Sequence, residues 1–223
     1  MNRSGRSAGR WVRPAALLLV VSSLGPLAGC STDATPAGPD GDPFAVEVVD
    51  FQPGEGAGFG QDRFPEVVLG PPHGGGERAG SLDVLSLGRG GAIVLRLGRA
   101  AVDGPGPDLL VFENPFRFPG GVFVEPGEVS VSDDGEVWAT FPCDPSAPEA
   151  TGCAGVDPVL ANVETNDLDP TNPEQAGGDA FDLADVGLET ARFVRIVDVG
   201  GEPGFGAPSE GFDLDALAVV TRP

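Results

Sequence analysis

The acidic residues near the end of the chain are the strongest candidates for chemistry. In the segment 212–219, Asp213 and Asp215 alternate with apolar residues. If this segment is a strand, both carboxylates point to the face that also carries Leu217 and Val219. Two carboxylates on one face repel each other unless a cation lies between them. Hard oxygen ligands suit Ca²⁺, so we predict a structural calcium ion at these two residues; solvated acids or an arginine partner are the alternative.

A Gly/Pro-rich loop earlier in the chain is a second candidate for binding calcium. It begins at Asp103, ends at Asp108 and is followed by Glu113. Gly104 and Gly106 allow the backbone carbonyls of this loop to turn toward the acidic side chains. We therefore include Asp103, Asp108 and Glu113 among the candidate calcium ligands. The alternative is a plain connection between two strands.

The sequence supplies little for catalysis. It contains no lysine and no tyrosine, and its one histidine, His73, lies in a Gly/Pro loop, where an exposed side chain is expected. Two carboxylates can hydrolyse a glycoside, but sugar-processing sites usually also need aromatic platforms, and Trp138 is the only tryptophan after residue 30. We therefore do not expect an enzyme; a carboxylate-based glycan hydrolase remains an alternative.

The first thirty residues are typical of an export signal. Four arginines precede an apolar run, Ala15–Leu27. Two small residues and then Cys30 follow this run. The segment from Leu27 to Cys30 is similar to the lipobox of bacterial lipoproteins, in which the cysteine becomes the lipidated N-terminus. We therefore predict a lipoprotein signal peptide over residues 1–30 and a palmitate-bearing membrane anchor at Cys30. This places the protein in the bacterial cell envelope, outside the cytoplasm; an ordinary signal peptide with a chance cysteine is the alternative.

Two cysteines remain once Cys30 is assigned to the lipid. Exported proteins form disulfides, and Cys143 and Cys153 allow only one pairing. Metal-binding thiolates are the alternative, but they need further cysteine or histidine ligands, and His73 is the sole histidine. We therefore predict a disulfide between Cys143 and Cys153.

The chain after Cys30 is strongly acidic. It carries nine arginines and all 34 acidic residues, a net charge of −25, against −21 for the 223 residues together. Such a surface repels phosphate groups, which argues against nucleic acid as a partner and against direct adhesion to anionic lipid. Self-repulsion on this scale also destabilises the folded state unless cations reduce it.

The pattern of residues divides the chain into three parts. Residues 31–43 are small, polar and rich in Pro and Gly, which is typical of a flexible linker. Residues 44–223 carry short apolar runs between Gly, Pro and Asp, which favours one β-rich domain. The dipeptide Asp134-Gly135 predicts a hairpin, and a long acidic insert lies between Phe141 and Arg192. The candidate strands are 44–51, 66–69, 83–87, 92–97, 108–113, 128–132, 136–141, 192–199 and 212–221.

Three segments together resemble the discoidin, or coagulation-factor C-type, branch of the galactose-binding-like jelly rolls. Residues 129–138 (VSVSDDGEVW) are similar to its hairpin motif, residues 191–196 (ARFVRI) to a strand motif, and residues 211–217 (GFDLDAL) to its closing strand. Segments 86–95 and 103–116 are also similar to uncharacterised bacterial cell-surface proteins. The resemblance implies an all-β fold, a jelly-roll β-sandwich of about 8–9 antiparallel strands with long acidic loops.

The resemblance carries further expectations. Related jelly rolls hold a structural calcium where the first and last strands meet, which adds Glu47 and Asp50 to the candidate ligands. The tryptophan of the similar hairpin lies in the core, so we expect the same of Trp138, and aromatic loop tips are not recognisable. The expected function is a lipid-anchored cell-surface binding or interaction module with a glycan or surface protein as partner. A structural surface protein without a small ligand is the alternative.

Overall fold

Antiparallel strands dominate the computed structural model, which describes residues 41–200 and 206–222. In chain order the strands are β1 (Ala45–Gln52), β2 (Leu85–Ser86), β3 (Ala92–Val102), β4 (Leu109–Phe112), β5 (Phe116–Phe118), β6 (Gly121–Phe123), β7 (Gly127–Ser132), β8 (Ala139–Thr140), β9 (Asp179–Phe181), β10 (Thr190–Asp198), β11 (Asp213–Leu214) and β12 (Ala216–Val219). One α-helical turn, α1 (Pro173–Ala176), and four 3-10 turns (Gln61–Arg63, Glu66–Val68, Pro148–Ala150, Leu183–Val186) complete the described elements. The protein is all-β, as predicted.

The larger sheet has five strands in the order β1-β3-β10-β7-β8, all antiparallel. Its two central strands alternate as their sequences predict. Leu95 pairs with Val194 and Ile93 with Ile196, and all four side chains are buried. These branched side chains favour strands and turn one continuous apolar face toward the core.

A three-stranded sheet in the order β12-β4-β9 forms the second layer. Leu109 and Val111 of β4 and Leu217 and Val219 of β12 belong to the same buried cluster as the inward face of the larger sheet. The two sheets therefore enclose one core and form a β-sandwich.

The smaller sheet is buried on its other face as well. Leu110 and Phe112 point away from the main core and pack in a second cluster with Val159, Ala161 and Ala176. These last three residues belong to the insert between Phe141 and Arg192, and the Ala161 N–H donates to the Ala176 carbonyl oxygen at 2.9 Å. The insert adds one short strand, β9, to the edge of this sheet, and other parts of it cover the outer face of the sheet.

Several predicted strands are shorter than expected or absent. Residues 66–68 form a 3-10 turn, and only residues 139–140 of the predicted run 136–141 form a strand. The predicted hairpin is present: Asp134 accepts the N–H groups of Glu136 and Val137, and Gly135 has a φ of 78°. Its connection spans residues 133–138, so the strands that flank it pair over only two residues of β8.

The expectation that Trp138 lies in the core is wrong. Trp138 is half-buried and belongs to neither described core cluster. The guanidinium carbon of Arg195 lies 5.0 Å from the centre of the indole ring, in a cation–π contact. Arg195 points outward because Val194 and Ile196 beside it point inward, so the tryptophan covers the outer face of the larger sheet.

The segments at the two ends of the described fold lie side by side. Phe44 forms a β-bridge with Ala218, and the Val219 N–H donates to the Pro43 carbonyl oxygen at 2.7 Å. The predicted signal peptide, Cys30 and most of the predicted linker lie outside the described residues. Among the residues described, none of the helices has the length and apolar character that a membrane span requires.

Candidate metal centre

Three acidic side chains from distant parts of the chain meet inside the protein. Glu113 directly follows β4, Glu125 lies two residues before β7, and Asp213 begins β11. One carboxylate oxygen from each lies within 4.8 Å of the others. Their exposed fractions are 1%, 5% and 3%, respectively. We call these three residues the acidic cluster.

The pairing of β11 with β2 positions Asp213. Asp213 lies opposite Ser86 in the ladder, and the Ser86 hydroxyl donates a hydrogen bond to Asp213 Oδ1. The Asp213 N–H in turn donates to Glu113 Oε1 at 3.0 Å. Glu113 lies where β4 ends, because Asn114-Pro115 follows and proline cannot donate to a ladder.

Three oxygen atoms of the acidic cluster receive no hydrogen bond of normal geometry from the described residues. They are Oε2 of Glu113 and both Oε atoms of Glu125. A buried polar atom without a partner is costly, and a buried ionised carboxylate is more so. A cation held by the acidic cluster would satisfy such oxygens.

Burial and mutual repulsion raise the pKa values of the acidic cluster. Burial raises the pKa of Glu125 to about 8, and the charges of Asp213 and Asp198 add to the effect, against the opposing influence of the Gly211 N–H. Burial also raises the pKa of Glu113 well above its usual range, with further contributions from Asp213 and Glu125. The protein therefore holds these carboxylates ionised near neutral pH only at a large cost, which a bound cation would remove.

Asp198 adds a fourth acidic group beside the acidic cluster. It ends β10 and accepts the N–H groups of Gly90 and Phe212, each at 2.9 Å. Arg89, next to Gly90, pairs with Glu210 at 2.8 Å between Nε and Oε2. This arginine also contacts Glu55 at 3.1 Å, so its charge is shared with two carboxylates outside the acidic cluster.

A cavity of about 250 Å³ reaches one member of the acidic cluster. Its lining includes Arg89, Glu125, Asp198 and Gly211. Glu125 thus belongs both to the buried cluster and to the wall of this cavity.

The donor set favours calcium over other metals. Its side-chain ligands are carboxylate oxygens, and the hydroxyl of Ser86 lies next to them. Zinc and copper prefer sulfur and imidazole ligands, whereas magnesium demands a near-ideal octahedron and keeps most of its water. Calcium accepts six to eight oxygens in flexible geometry, which suits three carboxylates on three separate segments.

Asp215, predicted to bind calcium beside Asp213, lies outside the acidic cluster. The predicted alternation breaks here, because Leu214 and Leu217 both belong to the main core, three residues apart. The chain leaves the ladder with β2 at Leu214 and joins the ladder with β4 at residue 216. Both oxygens of Asp215 accept the His73 N–H, each at 3.0 Å, and burial raises the Asp215 pKa to about 7.

His73 is more enclosed than its Gly/Pro loop suggests. Its Nε2 lies 3.7 Å from Asp83 Oδ2, and its Nδ1 lies 3.9 Å from Glu164 Oε1. Its backbone N–H binds Asp215. His73 therefore connects its loop, the insert and the connection between β11 and β12.

Glu47 and Asp50 are not brought together with Asp213. Glu47 Oε2 pairs with Arg96 Nε at 2.7 Å, and Asp50 accepts a hydrogen bond from Gln52 at 2.7 Å. Neither belongs to the two groups of three or more potential metal ligands found among the described residues. Both lie on β1, which pairs with β3, whereas Asp213 pairs with β2.

The loop at Asp103 forms the second group of acidic ligands, but it already has a positive partner. Asp103, Asp108 and Asp182 lie together, and the Arg222 guanidinium contacts Asp108 Oδ1. Arg222 also donates to backbone carbonyls of this loop, including that of Gly106 at 3.3 Å. Glu113, which we grouped with Asp103 and Asp108, belongs instead to the acidic cluster.

The predicted disulfide between Cys143 and Cys153 is confirmed. It borders a cavity of about 1020 Å³, which Phe141 and Phe181 also line. Cys30, the predicted lipid-bearing residue, lies outside the described residues. The disulfide thus belongs to the folded domain, at the start of the long insert.

Asp179 is a buried acid in the wall of this larger cavity. It accepts the N–H groups of Gly155, Val156 and Asp157 at 2.7, 3.2 and 3.2 Å. Burial nevertheless raises its pKa to about 7, from an ordinary value of 3.8. The folded state therefore keeps a proton that the unfolded chain releases between about pH 4 and pH 7.

This shift predicts a pH-dependent effect of Asp179→Asn. The stability due to the neutral carboxyl is fully present below about pH 4 and is lost as the pH rises through 7, whereas asparagine does not ionise. We expect the unfolding free energy of the variant, relative to wild type, to rise by up to about 1.4 kcal/mol per pH unit in this window. Urea denaturation from pH 4 to 8 measures the difference.

A control variant separates this effect from the general charge of the protein. Asp144 is exposed and hydrogen bonds from Ser146 lower its pKa, so it is ionised in both states above about pH 5, and Asp144→Asn should differ from wild type by a constant amount from there to pH 8. A constant difference for Asp179→Asn would contradict the assignment of a neutral, buried carboxyl.

Comparisons with known proteins do not place this chain in a family. No family model matches it, and no curated protein matches it significantly. The resemblance to discoidin-like jelly rolls therefore stays a prediction that rests on the three motifs quoted above. The geometry of the acidic cluster is independent of that resemblance.

Proposed function

We propose that this protein is a calcium-stabilised binding module of the bacterial cell surface, anchored by lipid at Cys30, with a neutral glycan as its ligand. The observation that carries the calcium assignment is the set of buried carboxylate oxygens of Glu113 and Glu125, near Asp213, that receive no hydrogen bond of normal geometry from residues 41–200 and 206–222. Extracellular calcium sites commonly bind at about 10⁻⁴–10⁻³ M, a range that suits an ion abundant outside the cell.

The charge of the protein restricts the ligand. With a net charge of −25 after Cys30, the domain repels nucleic acids, acidic polysaccharides and anionic lipid surfaces. Neutral polymers of the cell surface meet no such barrier. This favours an uncharged glycan over an acidic one.

An exposed aromatic side chain supports a glycan ligand. Contrary to the sequence-based expectation, an aromatic loop tip is present: Phe118, at the turn between β5 and β6, is 49% exposed. Pro119 and Gly120 form the turn and Gly121 begins β6, so the two residues that lie beside the ring, Gly120 and Gly121, have no side chain to cover it. Exposed aromatic rings give a binding surface a large contact area at low cost in side-chain entropy.

A glycan array with and without calcium tests this function. We expect the full chain to bind neutral glycans in calcium, and we expect chelation with EGTA to reduce the signal at least about tenfold, as for 1.4 kcal/mol of coupling. Phe118→Ala should lose binding, whereas Val137→Ala, at another exposed apolar side chain, should keep it. Absence of binding both in calcium and in EGTA would contradict a glycan ligand, and equal binding in the two conditions would contradict a role for calcium.

A further inference from the structure

The acidic cluster lies at the base of the β5–β6 hairpin. Glu113 immediately precedes the segment 114–124 that contains the hairpin, and Glu125 immediately follows it. Two of the three candidate ligands therefore flank the segment 114–124, one at each end. The third, Asp213, is fixed to the body of the fold by its pairing with Ser86 of β2.

The hairpin forms a two-stranded sheet of its own. Its strands pair with each other and with no other described strand. The rings of Phe116 and Phe123 stack within the hairpin at 5.2 Å between centres. Polar contacts between the hairpin and the body include the Arg117 N–H with the Glu77 carbonyl oxygen at 2.7 Å and an Arg117–Asp157 ion pair at 4.0 Å.

Charge at the base decides how firmly the two ends of the hairpin are held. Three carboxylates within 4.8 Å of one another in a buried site repel one another as they ionise. That repulsion acts directly between Glu113, Glu125 and the fixed Asp213. A divalent cation reverses the sign of this interaction and draws both ends of the hairpin toward β11.

We infer that a divalent cation bound by Glu113, Glu125 and Asp213 clamps the base of the β5–β6 hairpin and so fixes the position of Phe118. This inference rests on the proposed function and adds regulation to it: calcium controls the surface that contacts the glycan. A surface fixed before binding loses less conformational entropy when the ligand arrives. By thermodynamic linkage, a ligand bound at Phe118 also raises the affinity of the acidic cluster for calcium by the same factor.

Hydrogen–deuterium exchange of the full chain, with calcium as the only added probe, tests the clamp. We expect amides within residues 116–123 to exchange at least about tenfold more slowly in saturating calcium, because local opening then requires release of the cation. Amides of the β7–β8 connection, residues 133–138, should be unchanged and provide the internal reference. Glu125→Gln should abolish the protection of the hairpin, whereas Glu128→Gln, three residues away on β7, should retain it.

Calorimetric titration of the same samples separates the possible failures. Calcium binding without slower exchange in residues 116–123 would overturn the clamp and leave the calcium site intact. Absence of calcium binding would overturn both the clamp and the proposed calcium site. Slower exchange that persists in Glu125→Gln would also overturn the clamp, because the effect would then arise outside the acidic cluster.

Discussion

Glu125→Gln is expected to be more stable than the wild-type protein in a chelator and less stable than it in saturating calcium. In the chelator at about pH 9, above the Glu125 pKa of about 8, the substitution removes a buried charge and supplies amide protons to nearby carboxylate oxygens, a gain of about 1 kcal/mol. In calcium, the wild type gains RT ln(1 + [L]/Kd), about 2.7 kcal/mol when calcium is a hundredfold above Kd. As calcium is added, the stability of the wild type should therefore rise from below that of Glu125→Gln to above it.

Thermal denaturation at a series of calcium concentrations measures this crossing. Glu128→Gln removes the same charge from a partly exposed position on β7 and should respond to calcium like wild type. Sodium chloride at matched ionic strength controls for screening of the acidic surface, which does not require a defined site. A calcium response in Glu125→Gln equal to that of the wild type would contradict the assignment of this carboxylate as a ligand.

Replacing both Cys143 and Cys153 by serine should lower the free energy of unfolding by about 2–4 kcal/mol. The disulfide closes a loop between residues 143 and 153, and its removal increases the conformational freedom of the unfolded chain. Urea denaturation with and without reductant measures the loss. The wild type should become less stable in reductant, whereas the double variant should be insensitive to it.

The regular part of the fold could be predicted from the sequence. The alternating apolar residues of β3 and β10 identify two long strands, and Asp134-Gly135 identifies the hairpin after β7. Strands of three residues, such as β6 and β9, are too short to show a periodic pattern in the sequence. They form because pairing with an existing strand supplies their hydrogen bonds.

The acidic cluster could be predicted only in part. Asp213 and Glu113 were both candidate ligands, but each was assigned to a different site, because their contact joins segments a hundred residues apart. Glu125 was missed altogether, since nothing local distinguishes it from the many acids of this chain. Asp215 was included because strand alternation was assumed to continue through a point where the chain changes ladders.

The bridge between Phe44 and Ala218 offers a practical route to engineered forms of this domain. Because the two ends of the described fold are hydrogen-bonded neighbours, a linker of a few residues is long enough to join them. A circular permutant then has its new chain ends at an exposed turn, and a fluorescent reporter can be fused to one of these ends without lengthening any core strand. Opened at the turn beside Phe118, such a permutant turns movement of the hairpin into an optical signal.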